Sequence, residues 1–200
     1  MNFDKLKEKY ITLYNECRNF IVDPNSAWQK VVGEQYTWKD TQLRLLYPSL
    51  ALIGVMGLLR VFLENFYISG YDVLTNSLLA LAWPVILLIF LILGALSLRL
   101  IFRFKYLFDK WIDFERMVVF LSYAEIPLFI SAAIFAFLPF MFGVLIFFNF
   151  YALYIIMLGF NVYFGDIIGE ERKYNVPLTA ITFLVIYALT YLAWLAMDKF

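Results

Sequence analysis

The sequence predicts an all-α polytopic membrane protein of five transmembrane helices plus amphipathic interfacial helices. Three observations predict it. The 200 residues are 64% hydrophobic, with a mean hydropathy of +0.78, whereas a soluble domain is roughly 45–50% apolar. The apolar residues fall into long runs separated by short charged loops, the pattern of bilayer-spanning helices. Basic residues alternate from loop to loop along the chain, as five crossings require.

A spanning helix needs about 20 mostly apolar residues. Five segments qualify: Leu45–Phe62, Ser77–Leu98, Met117–Leu138, Phe142–Val162 and Pro177–Met197. Pro84 and Pro127 lie inside spans and are expected to kink them. Seven basic residues precede the first span: Lys5, Lys7, Lys9, Arg18, Lys30, Lys39 and Arg44. The loop after it carries Glu64 and Asp72, and the next carries Arg99, Arg103, Lys105, Lys110 and Arg116. The turn LPFMFG between the third and fourth spans is uncharged, Arg172 and Lys173 follow the fourth, and Lys199 follows the fifth. The expected orientation is N-terminus cytoplasmic and C-terminus outside.

The chain divides into cytoplasmic amphipathic N-terminal helices over 1–42 and a five-helix transmembrane domain over 43–200. In the first part Phe3, Leu6, Tyr10, Leu13, Tyr14, Cys17 and Ile21 recur at three- and four-residue steps, the mark of an amphipathic helix resting on the inner leaflet or on the bundle. Asp23-Pro24 ends it. Asn25 or Ser26 is expected to cap a short second helix carrying Trp28, Val31 and Val32. The loop RFKYLFDKWIDFER sets Lys105, Asp109, Asp113 and Arg116 opposite Phe104, Leu107, Phe108 and Trp111, which predicts another interfacial helix. Residues 1–20 lack the apolar core and cleavage site of a signal peptide, so insertion through the first span is expected.

Composition argues against several functions. Charge balances at 16 basic against 16 acidic residues, with no dense basic face, so a nucleic-acid partner is not expected. There is no histidine and one cysteine, Cys17. Cys/His metal sites, a Ser–His dyad and a His-rich metalloprotease motif are therefore not available. Every aspartate falls in a loop or near a terminus, which disfavours an intramembrane aspartyl dyad. Neither enzyme activity nor a cofactor is expected.

The polar residues inside the spans are the candidate site. Ionisable groups there are costly and call for a named partner. Glu125 sits about 12 Å into the third span and Arg60 about 22 Å along the first, so two long side chains can nearly meet. Two arrangements stay open: a Glu125–Arg60 ion pair, or a protonated Glu125 with Arg60 snorkelling to the outer headgroups. Asn149 of the fourth span, Tyr123, Ser122 and Ser131 of the third, and Thr179 and Thr182 of the fifth complete the intramembrane polar set.

Several stretches are similar to the Yip domain family, five-span membrane proteins named for their eukaryotic members' interaction with Rab-type GTPases. Leu153-Tyr154, Leu158-Gly159, Glu171-Arg172-Lys173 and Tyr174 follow the family's order of a Leu-Tyr pair, a Leu-Gly turn and a charged loop containing Tyr. SYAEIP resembles its Tyr-Ser-x-x-Pro, with Tyr123 and Pro127 in register, and Pro24 with Trp28 resembles the Pro-x-x-x-Trp lead-in of bacterial members. The chain departs from the pattern at Glu125 and Asn161, and it lacks the long N-terminal region of the trafficking members. The resemblance implies a compact, bacterial-like member with no catalytic residues to carry over. It implies residence in a bacterial cytoplasmic membrane, with lipids, other membrane proteins or further copies of the chain as partners. The expected function is a membrane-organising or scaffold-like factor; a small transporter or channel with Glu125 as titrating group is the alternative.

Overall fold

In a computed structural model, which describes residues 3–68, 72–103 and 112–165, those residues form helices and no strand. The N-terminal part holds α1 (Phe3–Val22), α2 (Pro24–Glu34) and the short α3 (Trp38–Thr41). Asp23 caps α2: its carboxylate accepts the Ser26 N–H at 3.2 Å, and Pro24 takes the first helical position. The cap thus lies upstream of the expected Asn25 or Ser26. Proline at the first position lacks an N–H that would be orphaned there anyway, so the helix can begin immediately after Asp23. Gln35 closes α2 in the left-handed conformation, φ 49°. Thr37 and Asp40 then form a reciprocal capping box for α3.

From Trp38 to Tyr67 the chain is one continuous rod, α3 running through a π-helical turn (Gln42–Leu46) into α4 (Tyr47–Tyr67). Pro48 accounts for the wide turn. It has no N–H for the Arg44 carbonyl and its ring crowds that oxygen, so Tyr47 reaches back to Gln42 instead. α4 buries Ser49, Leu50, Ile53, Gly54, Gly57 and Val61. Gly57 lets it cross α5 (Val73–Arg103) closely: a Cβ there would stand 3.0 Å from the Ala80 Cβ, and one at Gly54 would stand 3.5 Å from Pro84. Small residues at a crossing are how helices approach in lipid.

The third apolar run forms a bent pair, α6 (Phe114–Ala124) and α7 (Ile126–Phe137), meeting at 55°. It is the centre of the molecule, buried without interruption from Met117 to Phe129. α5 packs on α6, α4 and α8 (Phe142–Tyr163) pack on α7, and α1 and α2 close the remaining side. Two helical rods, Trp38–Tyr67 and Val73–Leu100, are long and apolar enough to cross a membrane, or three if the bent pair is one span. Of α8, Phe147–Tyr163 counts as a shorter apolar helix. The expected fifth span, Pro177–Met197, and residues 104–111 of the expected loop helix lie outside the described residues.

The outer surface is apolar. Leu74, Leu78, Leu81, Val85, Ile89, Leu93, Leu96 and Leu100 form an exposed stripe down α5, and Val55, Leu59, Phe62 and Phe66 form one on α4. Patches of this extent suit hydrocarbon contact rather than water.

The N-terminal helices are seated on the bundle by Trp28. Its indole is fully buried, stacks on Phe120 at 5.1 Å and meets Phe20 edge-on at 5.1 Å. Its Nε1–H donates to the Ile155 carbonyl of α8 at 3.1 Å. Gly159 supplies the notch: a Cβ there would lie 2.5 Å from Trp28. Trp28→Ala is expected to cost about 3–5 kcal/mol and Gly159→Ala about 1–3 kcal/mol. In the Trp28→Ala background, adding Gly159→Ala should cost clearly less, because the nearer clashing ring is gone and only that of Phe120, 2.8 Å from such a Cβ, must shift. Thermal unfolding of the four detergent-purified proteins measures the cycle, and simple additivity would refute the contact.

Candidate functional site

The bend between α6 and α7 follows from Pro127, second residue of α7. It has no N–H to return to the Tyr123 carbonyl, and its ring clashes there. The helix breaks two residues earlier, at Glu125, which has φ −90° and ψ 8°. The flanking ladder survives: the Glu125 N–H donates to the Leu121 carbonyl at 2.9 Å, and its carbonyl accepts the Phe129 N–H at 3.0 Å. The Glu125 side chain is 4% exposed. Among the described residues no polar group bonds its carboxyl, and it lines none of the cavities described below.

Arg60 does not reach it. The guanidinium Nε donates to Glu64 one turn along the same helix at 2.8 Å, so of the two arrangements open in the sequence the Glu125–Arg60 pair is replaced by a local one. The reason is reach. Arg60 lines a cavity of about 220 Å³ with Asn76, Trp83, Phe135 and Ala136, at the level of a residue ten positions beyond Glu125, roughly 15 Å along α7. An i,i+4 carboxylate is always within reach of such a side chain. Asn149 is half-buried on α8 and shares no described cavity with Glu125. Ser122 and Ser131 bond backward along the helix, to Val118 O at 2.7 Å and Leu128 O at 2.9 Å.

Tyr123 is brought into a second cluster that the sequence reading did not anticipate. Its ring is sandwiched between Phe20 at 5.4 Å and Tyr36 at 5.8 Å. Arg44 sits over the Tyr36 ring at 5.0 Å and reaches Glu34 at 3.9 Å, while Lys30 reaches Glu34 at 3.7 Å. Beneath them lies Glu16, a buried carboxylate of α1. Glu16 Oε2 and Tyr123 Oη are both buried without a hydrogen-bond partner among the described residues. Both residues line a cavity of about 20 Å³ together with Lys30 and Tyr36, a volume that accommodates a single water. The available signal was Glu16 itself, an acid three residues after Leu13 and four before Phe20 on the apolar side of α1.

The positions matching the family motifs scatter. Pro24 begins α2, Trp28 and Gly159 meet across the α2–α8 contact, and Pro127 makes the bend. Tyr154 faces outward beside Tyr151, and Tyr174 lies outside the described residues.

Electrostatically, the cluster is balanced rather than reactive. Burial raises the Glu16 carboxyl above its ordinary range, opposed by the charges of Arg44 and Lys30 and reinforced by Glu34. Burial also pushes the neighbouring Cys17 thiol up to about 12, which suppresses the thiolate needed for nucleophilic chemistry. Because folded Glu16 holds its proton more tightly than the unfolded chain, its contribution to stability is full below the unfolded value near 4.5. That contribution declines as pH rises through the raised folded value. Between pH 4.5 and 7 the melting temperature of the wild type should therefore fall more steeply than that of Glu16→Gln. Parallel pH profiles from thermal unfolding would contradict this. In comparisons with known proteins, no family model, curated protein or solved structure matches the chain.

Proposed function

We propose that this chain is a non-catalytic integral membrane protein of the Yip-domain kind, a membrane-organising scaffold that acts through helix–helix and lipid contacts. It crosses a bacterial cytoplasmic membrane five times, with the N-terminal helices on the cytoplasmic side and the C-terminus outside. Lipids and other membrane proteins are its partners.

The reading rests mainly on Glu125, the one acid near mid-span. It is enclosed in the packed bend of the most buried helix pair, and the described cavities are lined by other residues. A proton or cation relay needs converging polar groups and a wet route. Here the nearby serines are committed to their own helices and Arg60 to Glu64. Further support comes from the apolar outer stripes of α4 and α5, and from the alternating basic loops that set the orientation. The exchangeable surface is the N-terminal unit, which carries charged groups and exposed aromatics next to the bundle.

The transporter reading makes the opposite demand. In sealed liposomes the purified protein should pass protons and monovalent cations no faster than empty vesicles, and Glu125→Gln should leave that rate unchanged. Flux that appears with the wild type and disappears with Glu125→Gln would replace the scaffold reading by the transporter.

A further inference from the structure

The geometry points to the groove between α1 and the α4–α7 pair as a binding site for one acyl chain of an anionic diacyl phospholipid of the inner leaflet, with Arg18 on its phosphate. This deepens the lipid-contact part of the function proposed above, and it takes its leaflet from that reading.

The groove has a volume of about 530 Å³, within the roughly 300–1,000 Å³ of small-molecule sites. Leu13 and Ile21 of α1, Ser49 and Leu52 of α4, and Phe129 of α7 line it, with Arg18 at its edge. Its surface is apolar apart from that cation and a few hydroxyl and thiol groups, and no acidic residue is in the lining.

Charge and continuity select the occupant. Along α1, Lys7, Ile11, Tyr14, Arg18 and Val22 recur at three- and four-residue steps and share one exposed face. That face continues the groove's open side: Ile11, Tyr14 and Val22 are exposed there, and Leu52 and Val55 are exposed beside it on α4. Two cations, about 16 Å apart along the helix, bracket apolar and aromatic groups. This is the composition of a helix lying at the boundary of headgroups and chains. Ser49 and Leu52 belong to the first turns of α4, so the groove opens at the depth where acyl chains begin. A bilayer phospholipid supplies in one molecule what the site asks for, a chain for the apolar trough and an anion for Arg18.

The test uses the whole chain purified in detergent. Phosphatidylglycerol, phosphatidylcholine and free palmitate are added separately, and binding is read by native mass spectrometry and thermal unfolding. One phosphatidylglycerol should be retained, about fivefold more tightly than phosphatidylcholine, the effect of one basic residue near an anionic headgroup. Arg18→Gln should bring the two phospholipids level. Leu52→Trp, which fills the trough, should reduce both.

Photocrosslinking with a diazirine-bearing phosphatidylglycerol reads occupancy independently of stability, and the adduct should map to the groove-lining residues of α1 and α4 in the wild type and be lost in Leu52→Trp. Equal retention of both phospholipids by the wild type, stronger binding of palmitate, or phosphatidylglycerol binding indifferent to both substitutions would overturn the assignment. Both variants should insert and remain as flux-silent as the wild type. Equal retention of the two phospholipids by the wild type with silent liposomes is therefore failure of this assignment alone, whereas flux abolished by Glu125→Gln is failure of the scaffold reading.

Discussion

One indole closes the side of the bundle where the N-terminal helices sit, and their arrangement depends on it. A buried tryptophan N–H usually finds an acceptor, because leaving it unpaired costs free energy. Trp28 finds the Ile155 carbonyl, the oxygen that helical geometry already pairs with the N–H of Gly159. A carbonyl has a second lone pair to offer, but an indole reaches it only where the helix surface has no side chain. Gly159 meets both conditions: it stands one turn past the acceptor, and its missing Cβ is the space the ring occupies. With α2 held there, Phe20 of α1 is carried against Trp28 and Tyr123. The lengthwise seating of α1 against α4 and α7 follows from that contact.

The bend in the central pair is the second constraint, and it explains where an acid can stand in so apolar a segment. Pro127 breaks the hydrogen-bond ladder at a fixed place, and Glu125 is the residue at the break, preceding the first turn of α7. The unpaired N–H groups of a helix start present partial positive charge. A carboxylate is better tolerated there than one turn in either direction. Placing the acid at a discontinuity also lets the run from Met117 to Phe129 bury without interruption against its neighbours. The question raised by one glutamate in a greasy run thus has a local structural answer.

How much of this was legible depended on distance along the chain. Helix existence was written in the apolar runs: the first, second and fourth predicted spans each fall within an observed helical stretch, and the expected kink at Pro127 is present. Features decided by one residue's backbone chemistry were readable with small errors. Asp23 rather than Asn25 caps α2, because proline tolerates the first helical position. The π-helical turn before Pro48 was missed although its cause was in plain view. Features decided between distant segments were not readable. Spacing alone suggested that Arg60 and Glu125 could approach, but α7's direction after the bend separates them and leaves Glu64 as the near partner. The pairing of Trp28 with Gly159, more than a hundred residues away, left no periodic trace. Neither did the burial of Glu16, which its helical period alone could only hint at.

The disposition of polar side chains bears on what holds such a molecule together. Ser97, Ser122 and Ser131 each donate to a carbonyl three or four residues back on their own helix, so none ties one helix to another. The described ion pairs are Lys30–Glu34, Arg44–Glu34 and Arg60–Glu64. The first two lie among the N-terminal elements and the third lies within one helix. Long-range polar ties exist, but they end on backbone oxygens: Trp28 on Ile155, Tyr151 on Ile21, Arg116 on Tyr163. Tyr151 and Trp28 join the N-terminal helices to α8, and Arg116 joins α6 to it. The α4–α5 and α4–α7 contacts rest instead on close approach of small and apolar groups, the mode of association that remains when the surrounding solvent is as apolar as the helices. The two regimes divide the described residues into the α4, α5 and α7 contacts, which cohere by shape, and an N-terminal collar fastened to α8 by directed hydrogen bonds. Directed bonds can be exchanged for other directed bonds at little cost, whereas shape packing cannot. Replacing one of these directed bonds therefore changes how the N-terminal helices seat, while the packing of α4 on α5 and α7 keeps its own basis.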